Sequence, residues 1–264
     1  ARPAWPACQY TMSDKDQARS ELSRPSLARR LISTMRLAGF FVLSAFLIPA
    51  ISVAALLSGG RRYWFWAMAW SSLSMRMFGM RLEVEGRENL EAGRSYVVAS
   101  NHKSLLDPLS VVIALGPGHQ VRWVAKKELL KIPVFGFGLR VSGQVMIDRS
   151  DRSQAVAEIA RMKEKEGVSV AFFAEGARSP DAALLPFKKG AAAFAIDSGW
   201  PLLPVAVSGS DLALAKHSLV LRPRTIRVRI GEPIEVGGLE QNERGALTER
   251  LRTNIAGMLA ELNT

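Results

Sequence analysis

The residues best equipped for chemistry in this 264-residue chain are a histidine and an aspartate five positions apart, in Asn101-His102-Lys103-Ser104-Leu105-Leu106-Asp107-Pro108. In a continuous helix that separation puts two side chains about 140° apart in projection, so the pair would not meet. Pro108 changes the geometry. It disfavours helical backbone at Asp107 and suits the first helical turn, which predicts Asp107 as an N-cap with His102 on the preceding turn. Such a turn can fold the imidazole back onto the carboxylate, fixing one ring nitrogen and leaving the other as a base. A capping aspartate beside an unrelated loop histidine gives the same pattern, and spacing alone does not separate the two.

Two further clusters close apolar runs: Ile147-Asp148-Arg149-Ser150, and Phe173-Ala174-Glu175-Gly176-Ala177-Arg178-Ser179. The planar fork of an arginine suits a phosphate, and Gly176 would let backbone and ligand approach closely. An isolated arginine in so basic a chain reads first as a solvated surface charge. No Gly-x-Ser-x-Gly elbow is present, so a serine acyl-enzyme is not indicated and Ser104 reads as a loop residue. The single cysteine, Cys8, excludes an intramolecular disulfide and a Cys-rich metal site. His119 and His217 lack Cys or His neighbours and read as surface loop residues, so no metal is expected.

Bringing these groups together needs a fold that ends several strands at one edge. After Met80, apolar runs bounded by Gly, Pro or charge stand at Tyr96–Ser100, Val121–Ala125, Gln144–Ile147, Val168–Phe173, Leu202–Ser208 and Ile226–Ile230. Helical patterns at Pro108–Leu115, Ser153–Lys165, Lys189–Asp197 and Arg244–Leu262 alternate with them. The alternation predicts an α/β fold with a largely parallel central sheet flanked by helices. In such sheets ligands bind at the carboxyl ends of strands, where His102, Arg149 and the Glu175–Arg178 loop fall.

Ahead of that unit, no charged residue stands between Arg36 and Arg61. Roughly 20 apolar residues suffice to cross a bilayer as a helix. Pro49 would kink a helix through this run. A second apolar stretch, Tyr63 to Trp70, is too short to span, and its aromatic residues suit the headgroup boundary. Basic residues flank the first run on both sides. Two helices dipping into one leaflet would keep both clusters among anionic headgroups, whereas a full span would separate them. Both arrangements stay open, as does a buried hairpin of a soluble protein. The expected division is a basic, poorly ordered extension over 1–30, a membrane-associated helical hairpin over 31–80 and an α/β domain over 81–264. A net charge of +11 points to a polyanionic partner. A nucleic-acid binder would interleave aromatic and basic residues on one face. Here the aromatics crowd the apolar segment, so a phospholipid membrane is the expected partner and nucleic acid is not.

Four ordered blocks carry a family resemblance: Asn101 to Asp107; Gly143-Gln144-Val145-Met146-Ile147-Asp148-Arg149, preceded by Ala125-Lys126-Lys127-Glu128-Leu129; Phe173 to Ser179; and Leu202-Leu203-Pro204-Val205-Ala206-Val207. In these the chain resembles the 1-acylglycerol-3-phosphate acyltransferases, a branch of the glycerolipid acyltransferases. The resemblance implies transfer of a fatty acyl group from acyl-CoA or acyl carrier protein to the sn-2 hydroxyl of lysophosphatidate. The product would be phosphatidate, made in phospholipid biosynthesis with no cofactor beyond the donor and no protein-bound intermediate. It makes His102 the general base and Asp107 its holder. Arg149 and Arg178, with Lys126, become cations for the phosphate of the lysophospholipid acceptor. Glu175 would orient an arginine or a glycerol hydroxyl, and Gly176 would give room. The third block usually reads Phe-Pro-Glu-Gly-Thr-Arg-Ser, and here Ala174 and Ala177 replace the Pro and the Thr. Losing the Thr hydroxyl keeps another acceptor open, such as a lyso-ornithine lipid. A basic membrane or nucleic-acid binding protein without catalysis is the alternative from another class. The expected location is membrane-associated, on the cytoplasmic face of the inner or plasma membrane.

Overall fold

The computed structural model describes residues 25–57, 63–132, 134–147, 161–162, 167–179 and 183–263. Arg149, residues 1–24 and all of the expected Ser153–Lys165 helix except Arg161 and Met162 lie outside that set.

Among the described residues seven strands form one sheet: β1 (Arg81–Glu85), β2 (Val97–Ser100), β3 (Gln120–Lys126), β4 (Val145–Ile147), β5 (Val168–Phe173), β6 (Leu202–Ser208) and β7 (Thr225–Ile230). Their spatial order is β1-β7-β6-β2-β5-β3-β4. The run β6-β2-β5-β3-β4 is parallel throughout, while β7 lies antiparallel to β6 and pairs in parallel with β1. Every residue of β2 and β6 is buried, as expected of apolar runs covered on both faces. The carboxyl ends of β2, β3, β4 and β5 therefore share one edge.

β1 was not among the expected strands. Its sequence, Arg-Leu-Glu-Val-Glu, alternates strictly, with Leu82 and Val84 packed on the core. Arg227 and Arg229 of β7 hydrogen-bond Glu83 and Glu85 across the pair. Edge position explains both the charge and the missing continuous apolar signal.

Helices cover both faces. On one, α2 (Tyr63–Phe78) and α3 (Asp107–Leu115) pack over Tyr96, Val98, Val205 and Val228. On the other, α5 (Gly190–Ser198) and α6 (Arg244–Leu262) enclose Val97, Ala99, Val170 and Ala206. A short helix, α4 (Phe135–Val141), sits between β3 and β4.

The first helix, α1 (Leu27–Leu57), has 31 residues and so is about 46 Å long. It begins inside the stretch expected to be extension, because Ser26 Oγ accepts from Arg29 N at 3.2 Å and caps it. α1 and α2 run antiparallel: Arg36 Nη1 donates to Phe78 O (3.1 Å) and Trp70 Nε1 to Ser44 Oγ (3.1 Å), with Phe40 packed on both aromatic rings. α2 is bound to the sheet unit by Trp64 Nε1, which donates to Gly116 O (2.7 Å), and by Tyr63, whose ring lies under the buried Arg122 guanidinium. By contrast α1 leaves Phe41, Val42, Phe46 and Val53 half or more exposed, and it is long and apolar enough to cross a membrane.

Candidate active site

The site is built where β2 and β5 end side by side, Ser100 opposite Phe173. Asn101 continues β2 with its side chain: Nδ2 donates to Val207 O (2.9 Å) and Oδ1 accepts from Val207 N (2.8 Å). This buried amide clamp fixes where the chain leaves the sheet. His102 comes next and is held on four sides. Its backbone N–H donates to Glu175 Oε1 (2.8 Å), and its carbonyl accepts from Ser179 N (2.8 Å). Its Nδ1 lies 2.9 Å from Asp107 Oδ2, and its ring stacks on Phe173 with centroids 3.8 Å apart and planes 13° apart. Phe173 in turn stacks on Trp123 of β3, at 4.7 Å and 18°.

Asp107 is fully buried, and its Oδ2 also accepts from the backbone N–H of Lys103 and Ser104, both at 2.7 Å. The expected N-cap is not its position. Asp107 is the first residue of α3, after a turn in which its own N–H donates to Ser104 O (3.3 Å), so the carboxylate points back over the loop. That backward reach closes the five-residue gap to His102. Because an ionised carboxylate can only accept, Nδ1 carries the proton and Nε2 holds a free lone pair. Among the described residues Nε2 has no hydrogen-bond partner, and 15% of the side chain reaches solvent. Such a nitrogen can take a proton from a hydroxyl brought to it.

Glu175 accepts a backbone N–H on each of its carboxylate oxygens. Oε1 accepts from His102 N and Oε2 from Leu185 N (2.9 Å), so it ties the His102 loop to the returning chain. Burial pushes its carboxyl above the usual range, and those two N–H donors and the nearby Lys103 partly offset that. Gly176 has φ +73°, where a side chain would be strained, and its N–H donates to Phe173 O (2.9 Å). Arg178 is half-buried one residue before Ser179, which is bonded to His102; Lys216 Nζ donates to its carbonyl (2.9 Å). No hydrogen bond joins its guanidinium to another described residue. Lys126 is exposed at the end of β3 and is paired in register with Ile147, two residues before Arg149.

Several contributors escaped the sequence reading. Lys103 is buried next to Glu175, and Phe173 and Trp123 carry the ring stack. Asn101 acts as a strand extension. Strand alternation puts Phe172 and Phe173 on opposite faces, which was the available signal for Phe173. Ser104 Oγ donates to Leu214 O (2.8 Å), a pinning role consistent with a loop residue. His217 is exposed, but His119 is buried beside Tyr96, and burial lowers its pKa.

An acid-steered imidazole thus stands at the edge of a parallel sheet, with the loop that carries Arg178 bonded to its backbone, an arrangement chemically able to take a proton from a hydroxyl. The family model described as Acyltransferase matches residues 81–208, which contain all of these groups. The chain is 32% identical over 191 residues to the sheep 1-acyl-sn-glycerol-3-phosphate acyltransferase alpha, covering 71% of this chain and 66% of that protein. It is 31% identical to the human protein of the same name, covering 71% and 67%. It thus spans about two thirds of the length of these curated relatives. The crystal structure of the 1-acyl-sn-glycerophosphate (LPA) acyltransferase PlsC from Thermotoga maritima superposes with a TM-score of 0.77 at 25% identity, covering 89% of this chain and 98% of that one. The chain belongs to the acyltransferase family.

Proposed function

We propose that this protein acylates the sn-2 hydroxyl of 1-acylglycerol-3-phosphate, using a fatty acyl thioester of CoA or acyl carrier protein, and so makes phosphatidate. The observation that carries this reading is the His102–Asp107 contact with Nε2 left open. An alcohol is a weak nucleophile until its proton leaves. His102 Nε2 takes that proton as the oxygen attacks the thioester carbonyl, and Asp107 stabilises the imidazolium formed. The C–O bond forms as the C–S bond breaks, and the leaving thiolate receives the proton. Stacking on Phe173 holds the ring plane and adds a π-face to the cation. No serine intermediate is invoked, since the sequence has no Gly-x-Ser-x-Gly elbow.

The acceptor phosphate is assigned to Arg178, Arg149 and Lys126. Arg178 is supported by its loop's bond to His102 and by a guanidinium with no hydrogen bond to another described residue. Lys126 is supported by its place at the same strand edge. Glu175 is assigned to holding the loop. The names of the relatives support lysophosphatidate as the acceptor. We assign the protein to a membrane surface, anchored by α1, where substrate and product need not pass their chains through water; each exposed CH₂ would cost about 0.8 kcal/mol. The test is purified protein in phospholipid vesicles with labelled acyl-CoA, acyl carrier protein and a panel of lysolipids including lyso-ornithine lipid. Labelled phosphatidate from lysophosphatidate is expected. Preferential acylation of a lysolipid without a phosphomonoester would overturn the acceptor assignment.

A further inference from the structure

The connection between β3 and β4 carries exposed apolar side chains that the chemistry above does not use. Ile132, Val134, Phe135 and Phe137 expose 46%, 37%, 38% and 48% of their surface. The backbone that presents them is tightly built. Val134, a β-branched residue, has φ +62°, an outlying conformation that surrounding structure must hold. At Gly136 a Cβ would stand 2.2 Å from the carbonyl oxygen of Leu130, so the turn closes only with glycine there. Gly136 N donates to Ile132 O (2.7 Å) and Gly138 N to Val134 O (3.0 Å).

This patch is continuous with α1. A side chain at Gly138 would run into Ile48, whose Cγ2 lies 2.6 Å from the Cβ position, so α4 rests directly on the apolar helix. Exposed Lys126, Lys127, Lys131 and Arg140 border it, as cations border an element seated at anionic headgroups. The connection also leaves β3 at the sheet edge that carries His102 and Glu175. Apolar tip, basic border and contact with α1 together fit a lipid surface better than water or a protein partner.

We propose that Ile132, Val134, Phe135 and Phe137 form a second lipid-inserting element, which together with α1 seats the catalytic edge in an anionic leaflet. This rests on the reading of α1 as the membrane anchor. The test starts from the Cys8→Ser protein in phosphatidylcholine–phosphatidylglycerol vesicles. Single cysteines replace Phe137, Phe46 of α1 or Thr253 of α6 and carry an environment-sensitive fluorophore. Quenching by lipid-attached spin labels is expected at 137 and 46 and not at 253. Quenching at 46 with none at 137 overturns the proposal, and means that another occupant, such as a second copy or the carrier protein, covers the patch. The variant carrying Phe135→Ser and Phe137→Ser should lose about tenfold in kcat/KM on vesicle-borne lysophosphatidate, since interfacial binding scales with buried apolar area. Its turnover of a short-chain, monomeric acceptor should be unchanged. Equal losses on both acceptors would mark a folding defect and overturn the role. The fluorescence result stands or falls whichever lysolipid proves to be the acceptor.

Discussion

His102 is fixed by contacts from two segments: Asp107 behind the ring, and the stretch from Phe173 to Ser179, with Phe173 beneath the ring and Glu175 and Ser179 on its backbone. A side chain held in this way has little conformational freedom left to lose when it meets a reactant. Phe173→Leu keeps the burial but removes the stack. It should lower kcat about two- to tenfold, the equivalent of about 0.5–1.5 kcal/mol for an aromatic pair, with acceptor KM little changed. A comparable rise in KM alone would show that Phe173 acts on binding instead. Arg178→Ala should raise the KM for the phosphate-bearing acceptor about tenfold or more, as expected for a charge-assisted contact of about 1.5–3 kcal/mol. An effect confined to the acyl donor would contradict its assignment. At this scale the sequence was only partly legible. His102 and Asp107 could be singled out by type and spacing, but their contact depends on a turn that spacing alone left open. Glu175 was harder, because nothing local says that a carboxylate in a loop will spend both oxygens on distant backbone N–H groups.

The elements work by ending together. β2, β3, β4 and β5 stop at one edge, and Asn101 extends β2 by one more pairing through its side chain. Asn101→Ala would leave the buried N–H and C=O of Val207 without partners, at about 1–3 kcal/mol for each group. We expect a lower Tm and a large loss of activity, measured by thermal unfolding and acyl transfer on the same preparation. Activity loss at unchanged Tm would point to direct substrate contact instead. Six strands were readable, β2 and β6 most plainly, because apolar runs covered on both faces leave a plain signature. β1 was not, since an edge strand with three charged residues of five looks like a solvated loop until its partner β7 is placed beside it. The start of α3 was read one position late, because the chain begins to turn at Ser104, before the residue that Pro108 marks.

For the whole molecule, apolar surface and charge occupy related places. α1 lies against the domain rather than apart from it, touching Leu221 through Ser33 near its start and α4 through Ile48 further along. Its outer face is left bare. The net charge of +11 adds attraction to anionic lipid, but the apolar face should dominate retention. We therefore expect the protein to stay on vesicles through a wash in about 1 M salt, where the screening length is only about 3 Å. Release into the supernatant would show that charge alone holds it there. The membrane segment was the most legible feature in composition, yet its contact with α4 was invisible, since it arises from a glycine in one segment accommodating an isoleucine in another.

The central claim is that an acid-steered imidazole removes the proton from the acceptor hydroxyl. The most direct measurement is phosphatidate formation by His102→Ala in vesicles, with folding checked by Tm and membrane retention by flotation. A loss of about 10²- to 10⁴-fold in kcat, with fold and membrane binding intact, is the predicted result. Turnover within a few-fold of the parent protein would contradict it.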